Sequence, residues 1–310
     1  MNAVAVIDIG SNSIKVLVAT RAANGRVTAL KTHTIDARIS AGISQAAPRL
    51  SEEGMTRGLE AIRALLTDTS HFSPARTVLV ATSAVRDALN GADFRERIRA
   101  ATGHEVRLLT GEEEANLIGR GLTCDASLSA LRNFYVFDLG GGSLECLAFR
   151  DRRIEQAVSY QLGCVRLTEK FVGDPTQPFT AAEAEKIAAH TREVISKSGF
   201  KFSLPPDAVA VGTGGTLTTL RAILAAQNRQ TFEHTDPRLT LVQLHAMLAN
   251  LGAMSLAERR GVPGLPPPRA DVFPTALATM IAVAELGGFD AYVNSVFNLR
   301  YGLADELLAG

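Results

Sequence analysis

Only three cysteines occur in 310 residues, Cys124, Cys146 and Cys164, scattered and odd in number. That excludes a disulfide framework and a paired-cysteine metal site. The six histidines show neither HxH nor HExxH spacing, so His33, His71, His104, His190, His234 and His245 read as structural or exposed. Charge of one sign is lacking as well: formal net charge is zero. No global field therefore recruits nucleic acid or a membrane surface, and a polyanionic substrate would need a local basic patch. The most apolar long stretch, Leu239 to Leu256, carries Gln243, His245 and Asn250 at helical intervals, which makes it a helix of a soluble protein rather than a membrane span. The amino terminus enters a strand at once, without a basic region or cleavage site. With 46% hydrophobic and 21% charged residues, the chain has the composition of a globular protein with a sizeable core. The expectation is a cytoplasmic α/β protein long enough for two domains.

What the chain does have, it has twice. Asp8-Ile-Gly-Ser-Asn-Ser13-Ile-Lys15 reappears in register as Asp138-Leu-Gly-Gly-Gly-Ser143-Leu-Glu145. An apolar run precedes each copy (Ala3 to Ile7, Phe134 to Phe137) and another follows it (Val16 to Ala19, Cys146 to Phe149). Each reads as strand, tight turn, strand, hence two β-hairpins, and so wide a repeat predicts two similar domains facing one cleft. Glycine lets the backbone come close to a bulky anion, and successive N–H groups in a tight turn form a concave anion site. Ser11, Asn12, Ser13 and Ser143 add side-chain donors. The aspartates fit a hard cation such as Mg²⁺ that bridges phosphate oxygens. The copies diverge at Lys15 against Glu145, one a phosphate-seeking cation and the other a second carboxylate.

Strands and helices alternate along the chain. Val27 to Ile35 reads as a third strand, and Ser51 as the N-cap of a helix running to about Leu66. Thr77 to Ala81 reads as a strand, Asp93 to Ala101 as a helix, Val106 to Leu109 as a strand, and Thr110 as the start of the next helix. The pattern restarts at Phe134. Thr180 with Glu183 is a capping box opening a helix to Ser196. Ala208 to Gly212 reads as a strand, and Thr213 to Thr216 turns it into a helix. The four prolines between Pro263 and Pro268 exclude helix and central strand there, and place a loop before a long helix from Phe273. Leu299 to Leu308 closes the chain as a helix. The boundary between halves falls within 123–132.

Four further segments can carry chemistry. Thr82 to Ala88 follows a strand and delivers Arg86, whose guanidinium suits phosphate; the structural alternative is an N-cap at Ser83 with a surface arginine. In Gly111-Glu-Glu-Glu-Ala115 the cap explains Glu113 but does not demand Glu114, which could instead orient or deprotonate water. Gly212-Thr-Gly-Gly-Thr216 has the form of a phosphate-cradling turn at a helix N-terminus, or of a plain glycine-rich turn. For Arg166, Arg269 and Arg300 the solvated surface is the expected place, with a basic rim around the loops as the alternative. Cys164 reads as a small buried residue.

Taken in order, Asp8–Lys15, Ala81-Thr-Ser-Ala-Val-Arg86, Gly111–Ala115, Asp138–Glu145, Leu162-Gly-Cys-Val-Arg-Leu167, Gly212–Thr216 and Leu299-Arg-Tyr-Gly302 closely resemble the exopolyphosphatase / guanosine pentaphosphate phosphohydrolase (Ppx/GppA) family. That family belongs to the sugar kinase, actin and heat-shock ATPase superfamily. The resemblance implies an α/β fold of two ribonuclease-H-like domains around a central cleft, residues 1–123 and 124–310, with the last helix near 299–310 a candidate to pack back on the first. It also implies removal of terminal phosphate with Mg²⁺ or Mn²⁺. Carried over by position, Glu114 is the base that activates water and Arg86 binds the scissile or a neighbouring phosphate. Asp138 and Glu145 hold metal or position water, and Asp8 supports the same metal. Gly10, Ser11, Asn12, Ser13 and Lys15 form one phosphate loop; Gly140, Gly141, Gly142 and Ser143 form the other; Gly214 and Gly215 add a third phosphate contact.

The implied substrate is inorganic polyphosphate or guanosine pentaphosphate, the implied state a homodimer, with no nucleic acid or membrane as partner. Longer relatives carry a helical HD-type extension, so a chain ending at residue 310 is expected to favour shorter polyphosphates. Phe273-Pro-Thr-Ala276 departs from the family pattern, which has small residues, glycine included, where Pro274 and Thr275 stand. A phosphotransferase that uses Gly212–Thr216 for a nucleotide, and a nucleotide-dependent filament or chaperone-like protein on the same fold, are the competing readings.

Overall fold

The two aspartate hairpins open two sheets of the same strand order in the computed structural model, which describes residues 2–45 and 47–309. The chain divides into two compact units, residues 1–130 joined by 297–310, and residues 131–296. In unit 1, β1 (Ala3–Ile9), β2 (Ile14–Arg21) and β3 (Val27–Ile35) make an antiparallel meander. The chain continues through α1 (Glu52–Ser70), β4 (Arg76–Ala81), α2 (Ser83–Asp87), α3 (Gly91–Thr102), β5 (Val106–Leu108) and α4 (Gly111–Thr123). Sheet order is β3-β2-β1-β4-β5, with β4 parallel to β1 and β5 parallel to β4.

Unit 2 repeats the plan. Its meander is β6 (Phe134–Leu139), β7 (Leu144–Arg150) and β8 (Arg153–Tyr160). There follow α5 (Cys164–Phe171), α6 (Ala181–Lys197), β9 (Val209–Thr213), α7 (Gly214–Gln227), β10 (Arg238–Thr240), α8 (Leu241–Gly252), α9 (Leu256–Arg260), α10 (Phe273–Gly287) and β11 (Ala291–Asn294). The order is β8-β7-β6-β9-β11 with β10 added antiparallel at the edge. Even the irregularities repeat: the β2/β3 register shifts after Val18 and the β7/β8 register after Ala148, ten residues past Asp8 and Asp138 respectively (18 − 8 and 148 − 138). Such a bulge bends and twists the strand at a fixed distance from its turn.

Residues on β1 alternate between two buried faces, which is why the strand reads as a continuous apolar run. Ala3, Ala5, Ile7 and Ile9 join Met55, Ile62 and Leu65 of α1 and Phe94 and Ile98 of α3 in one core. Val4, Val6 and Asp8 lie on the opposite face, the side of β1 and β2 packed by α11 (Leu299–Ala309). That closing helix also packs along α4. In unit 2 the core gathers Tyr135, Phe137 and Leu139 of β6 around α10, whose residues from Phe273 to Ala284 are all buried.

Local chemistry sets the helix starts. Ser51 accepts from Gly54 N at 3.0 Å, and Thr110 with Glu113 and Thr180 with Glu183 form reciprocal capping boxes. Each such cap is worth about 1 kcal/mol. The same device at Thr240–Gln243 and Ser255–Glu258 opens α8 and α9. Two expectations change. Thr82, not Ser83, occupies the N-cap of α2, and it makes no side-chain cap bond; the Ser83 hydroxyl lies 3.2 Å from that of Ser11. The proline-rich loop ends in a single 3₁₀ turn, Pro267–Arg269, because proline lacks only an N–H that the first positions leave unused. Pro274 likewise sits in the first turn of α10, and Thr275 is fully buried, its hydroxyl accepting from Thr168 at 2.8 Å. No helix among the described residues is long and apolar enough to cross a membrane.

The α4–α11 crossing is fixed by two glycines. A Cβ on Gly302 would fall 1.9 Å from the Leu117 carbonyl oxygen, and one on Gly121 would fall 2.0 Å from that of Asn298. Both positions exclude alanine unless the helices part. Gly302→Ala is expected to lower stability by about 1–3 kcal/mol, the usual cost of overpacking, read as a lower urea midpoint at unchanged slope.

Candidate active site

Unit 1 carries the sequence candidates Asp8, Gly10 to Ser13, Lys15, Arg86 and Glu114 on the β1–β2 hairpin, on α2 and at the start of α4. The turn residues Ser11, Asn12 and Ser13 are buried, each with 4% of its surface exposed. Gly10 keeps the turn close, since a Cβ there would press to 3.0 Å on the Ser13 carbonyl oxygen and the turn would have to give. The carbonyls of Ser11 and Asn12 accept from Ser40 N (3.3 Å) and Arg38 N (2.9 Å). In a trans peptide the C=O and the next N–H point opposite ways, so the Asn12 and Ser13 amides face away from residues 38–40. The turn thus presents donors on its free side, the arrangement an anion needs.

Asp8 stands directly across the ladder from Lys15 on the same sheet face. Asp8 keeps some contact with solvent, yet burial holds its carboxyl above the usual range, only partly offset by the charges of Lys15 and Arg300. Arg300 itself is buried, 9% exposed, and donates from Nη1 to the Val16 carbonyl at 3.4 Å. The solvated position expected for Arg300 is therefore wrong: α11 carries it down onto the hairpin.

Arg86 and Glu114 meet. Arg86 Nη1 donates to Glu114 Oε2 at 3.0 Å and to the Leu109 carbonyl at 2.9 Å, and its Nε lies 3.7 Å from Asp87. Among the described residues Nη2 has no partner, which leaves one edge of the fork for another anion. The three acids at the start of α4 part company. Glu112 is exposed, Glu113 closes the capping box and pairs with Arg107, and Glu114 is buried outside the cap.

Unit 2 repeats the turn. Gly140 N donates to the Ser143 carbonyl at 3.0 Å, and the carbonyls of Gly140 and Gly141 accept from Cys164, Val165 and Arg166 at the start of α5. The Gly142 carbonyl accepts from Arg166 Nε at 3.2 Å. The carbonyl edge is again occupied from behind, so the Gly141 and Gly142 amides turn outward. The contact demands Gly163, where a Cβ would fall 2.2 Å from the Gly142 carbonyl carbon and 2.3 Å from that of Gly141. Arg166, expected at the surface, backs this turn, and Cys164 is buried as read.

Asp138 pairs in register with Glu145, so both carboxylates share one sheet face. Glu145 is 2% exposed and accepts from the Ser159 hydroxyl at 2.7 Å. Asp138 is seated against the first residue of α7: a Cβ on Gly214 would fall 2.1 Å from its Oδ1, and Gly214 has a φ of +80°, so glycine is required twice over. The neighbouring Gly215 lies beneath Arg269, whose Nη1 would be 2.0 Å from a Cβ there. Arg269, also expected in solvent, covers the Gly214–Gly215 turn instead.

A divalent cation fits the Asp138–Glu145 pair. No group of three or more His, Cys, Asp or Glu side chains is poised around a point among the described residues. Mg²⁺ rarely needs such a cage; it takes one or two carboxylates and completes its shell with water and phosphate oxygens. A buried, hard oxygen donor oriented by a serine hydroxyl is what that ion takes. Ser159, Arg38 and Ser83 are contacts that sequence reasoning passed over. Ser159 and Arg38 sit in no motif, Ser83 sits in one but reads there as a cap, and each contact is found only through its partner.

The model of the Ppx/GppA phosphatase family matches residues 17–309. Among solved structures, an exopolyphosphatase-like protein aligns with 98% of this chain and 97% of its own, at 26% identity and a TM-score of 0.87. An exopolyphosphatase from Cytophaga hutchinsonii ATCC 33406 aligns over 99% and 98%, at 22% identity and 0.85. The Ppx/GppA family member of Aquifex aeolicus aligns over 99% and 97%, at 24% identity and 0.77. The last two likenesses show a shared fold.

The raised Asp8 carboxyl has a definite pH signature. Between the ordinary value of 3.8 and its raised value, the folded chain holds a proton that the unfolded chain has released. Stability contributed by this group therefore falls as pH rises through that window. Asp8→Asn removes the effect: the variant is expected to melt above the parent at neutral pH and level with it in acid below the ordinary carboxyl range, measured by calorimetry across pH.

Proposed function

Because the chain belongs to the Ppx/GppA phosphatase family, and is thus a phosphatase, we propose that it is an exopolyphosphatase that hydrolyses terminal phosphate from inorganic polyphosphate with Mg²⁺ or Mn²⁺. The observation that carries the hydrolytic reading is Glu114. It is buried, spared from the cap of its own helix, and held by an arginine with one nitrogen to spare. Two anion-ready turns support a substrate with several phosphates, and the exopolyphosphatase-like structure at 26% identity supports the phosphoanhydrides of polyphosphate over phosphate esters.

Phosphoryl transfer asks a protein mainly for positioning and charge neutralisation. In the proposed reaction Glu114 orients water and takes its proton, while Arg86 offers Nη2 to an oxygen of the scissile phosphate. The outward amides of Asn12, Ser13, Gly141 and Gly142, in turns that Gly10 and Gly140 open, receive phosphate oxygens together with the hydroxyls of Ser11, Ser13 and Ser143. Lys15 adds a cation at the first turn, and the Gly214–Gly215 turn with Arg269 adds another anion contact. Asp138 and Glu145 would hold the divalent ion, which when bound neutralises phosphate charge; Asp8 is the supporting carboxylate. Guanosine pentaphosphate presents the same terminal anhydride and is the second reading, since the family covers both.

Phosphate release with Mg²⁺ from tripolyphosphate, long-chain polyphosphate and guanosine pentaphosphate, side by side, tests the assignment. Release from polyphosphate is the expected outcome; release from the guanosine substrate alone moves the assignment there, and release from none sinks the hydrolase reading. Glu114→Ala and the isosteric Glu114→Gln are each expected to keep tripolyphosphate binding while turnover drops about 10²- to 10⁴-fold, the range for a lost general base. Turnover retained in both variants removes Glu114 from the role of base.

A further inference from the structure

Asn12 carries an unused donor at the tip of the first turn. The residue is 4% exposed, and its Nδ2 has no hydrogen-bond partner. Buried amide donors are nearly always satisfied, so one left open at an anion-ready turn calls for an acceptor from outside the chain. The orientation of this amide is not free. Arg38 Nε donates to Asn12 Oδ1 at 3.1 Å. Were the amide reversed, its NH₂ would meet an N–H donor, so Arg38 fixes which end is oxygen and which is nitrogen.

Arg38 is itself held with unusual care. Its backbone adopts a left-handed φ of +40°, a region an L side chain enters only when its surroundings impose it. Three contacts impose it here. Its own N–H donates to the Asn12 carbonyl at 2.9 Å. Arg57 of α1 donates to the carbonyls of Ala37 and Arg38 at 3.0 and 3.2 Å. The next residue, Ile39, is fully buried against α1, where a Cβ on Gly58 would fall 2.8 Å from its Cγ2 and one on Gly54 3.1 Å from its carbonyl oxygen. The second turn has a counterpart: Arg166 Nε bonds the carbonyl of Gly142, the residue that matches Asn12 in the repeat. Each turn is thus backed by one arginine at the same position. Only in the first does that arginine grip a side chain, because only there does a side chain exist.

We propose that Arg38 is a positioning residue for substrate phosphate: it locks the Asn12 amide so that Nδ2 donates to a phosphate oxygen of the bound polyphosphate. The inference rests on the exopolyphosphatase reading and adds to it a residue outside every phosphate motif of the sequence. Arg38 acts through Asn12.

Two variants separate this role from a structural one. Asn12→Asp keeps the oxygen that Arg38 grips and replaces the donor by a second oxygen that repels phosphate. Arg38→Gly keeps the left-handed backbone at no steric cost and removes the grip. Melting temperature, steady-state kinetics and calorimetric binding of tripolyphosphate with Mg²⁺ are compared with the parent. Both variants are expected to fold with melting temperatures near that of the parent. The Asn12→Asp protein should raise KM and the dissociation constant by about 10- to 100-fold, the worth of a hydrogen bond to a charged group. The Arg38→Gly protein should shift both in the same direction by less, with KM rising more than kcat falls. An active parent whose KM and affinity survive in both variants overturns the inference alone. A parent that neither binds nor cleaves tripolyphosphate overturns the functional reading and the inference with it.

Discussion

Close backbone approach, possible only where glycine removes the Cβ, is the constraint on which this structure depends. At Gly121 and Gly302 it lets α4 and α11 touch main chain to main chain. Through that contact α11 sets where α4 lies, and α4 sets where Glu114 lies. At Gly163 it lets the start of α5 press against the second turn, and at Gly214 it makes room for the carboxyl of Asp138. Small residues here mark dense packing, not slack, and the candidate site residues sit on the helices and turns so fixed.

A second theme is polarity by occupation. A tight turn carries carbonyls and amides on opposite edges, and by itself would attract cations as readily as anions. In both units another segment consumes the carbonyl edge: residues 38–40 at the first turn, the start of α5 and Arg166 at the second. What remains is a row of donors. The charged groups nearby are expensive to keep buried, as the displaced protonation of Asp8 records. Functional sites are where groups are most often held against their solvation preference, and the hairpin of Asp8 holds one such group.

The parts of this fold legible in the sequence are those determined by neighbours along the chain. Thr110 and Glu113 are three residues apart, and the box they form depends on nothing else; the same holds for Thr180 with Glu183. The duplicated turns were visible because both copies kept their glycines and serines at fixed offsets. Strand β8 escaped notice since its residues, from Arg153 to Ser159, are exposed or half-exposed and leave no apolar run. Arginines are the least legible. Arg166, Arg269 and Arg300 look like surface residues by type, and what brings them inward is a carbonyl, a glycine or a helix distant in sequence. Ser83 was read as a cap because a hydroxyl before a helix usually is one; its actual neighbour, Ser11, lies 72 positions earlier. Arg38 had no local signature at all, since nothing in a sequence announces a left-handed arginine.

The placement of α11 has a consequence for how the molecule comes into being. Unit 2 is an insertion: residues 131–296 are threaded between α4 and the helix that completes unit 1. A ribosome emits the first sheet and α4 well before it emits Leu299. Until then Gly121 has no backbone to meet, and the Val4–Val6–Asp8 side of β1 lacks the helix that packs on it. Unit 2 is free to fold first on its own core, while the earlier-made unit waits for α11. Truncation or stalling before Leu299 would therefore damage the unit synthesised first.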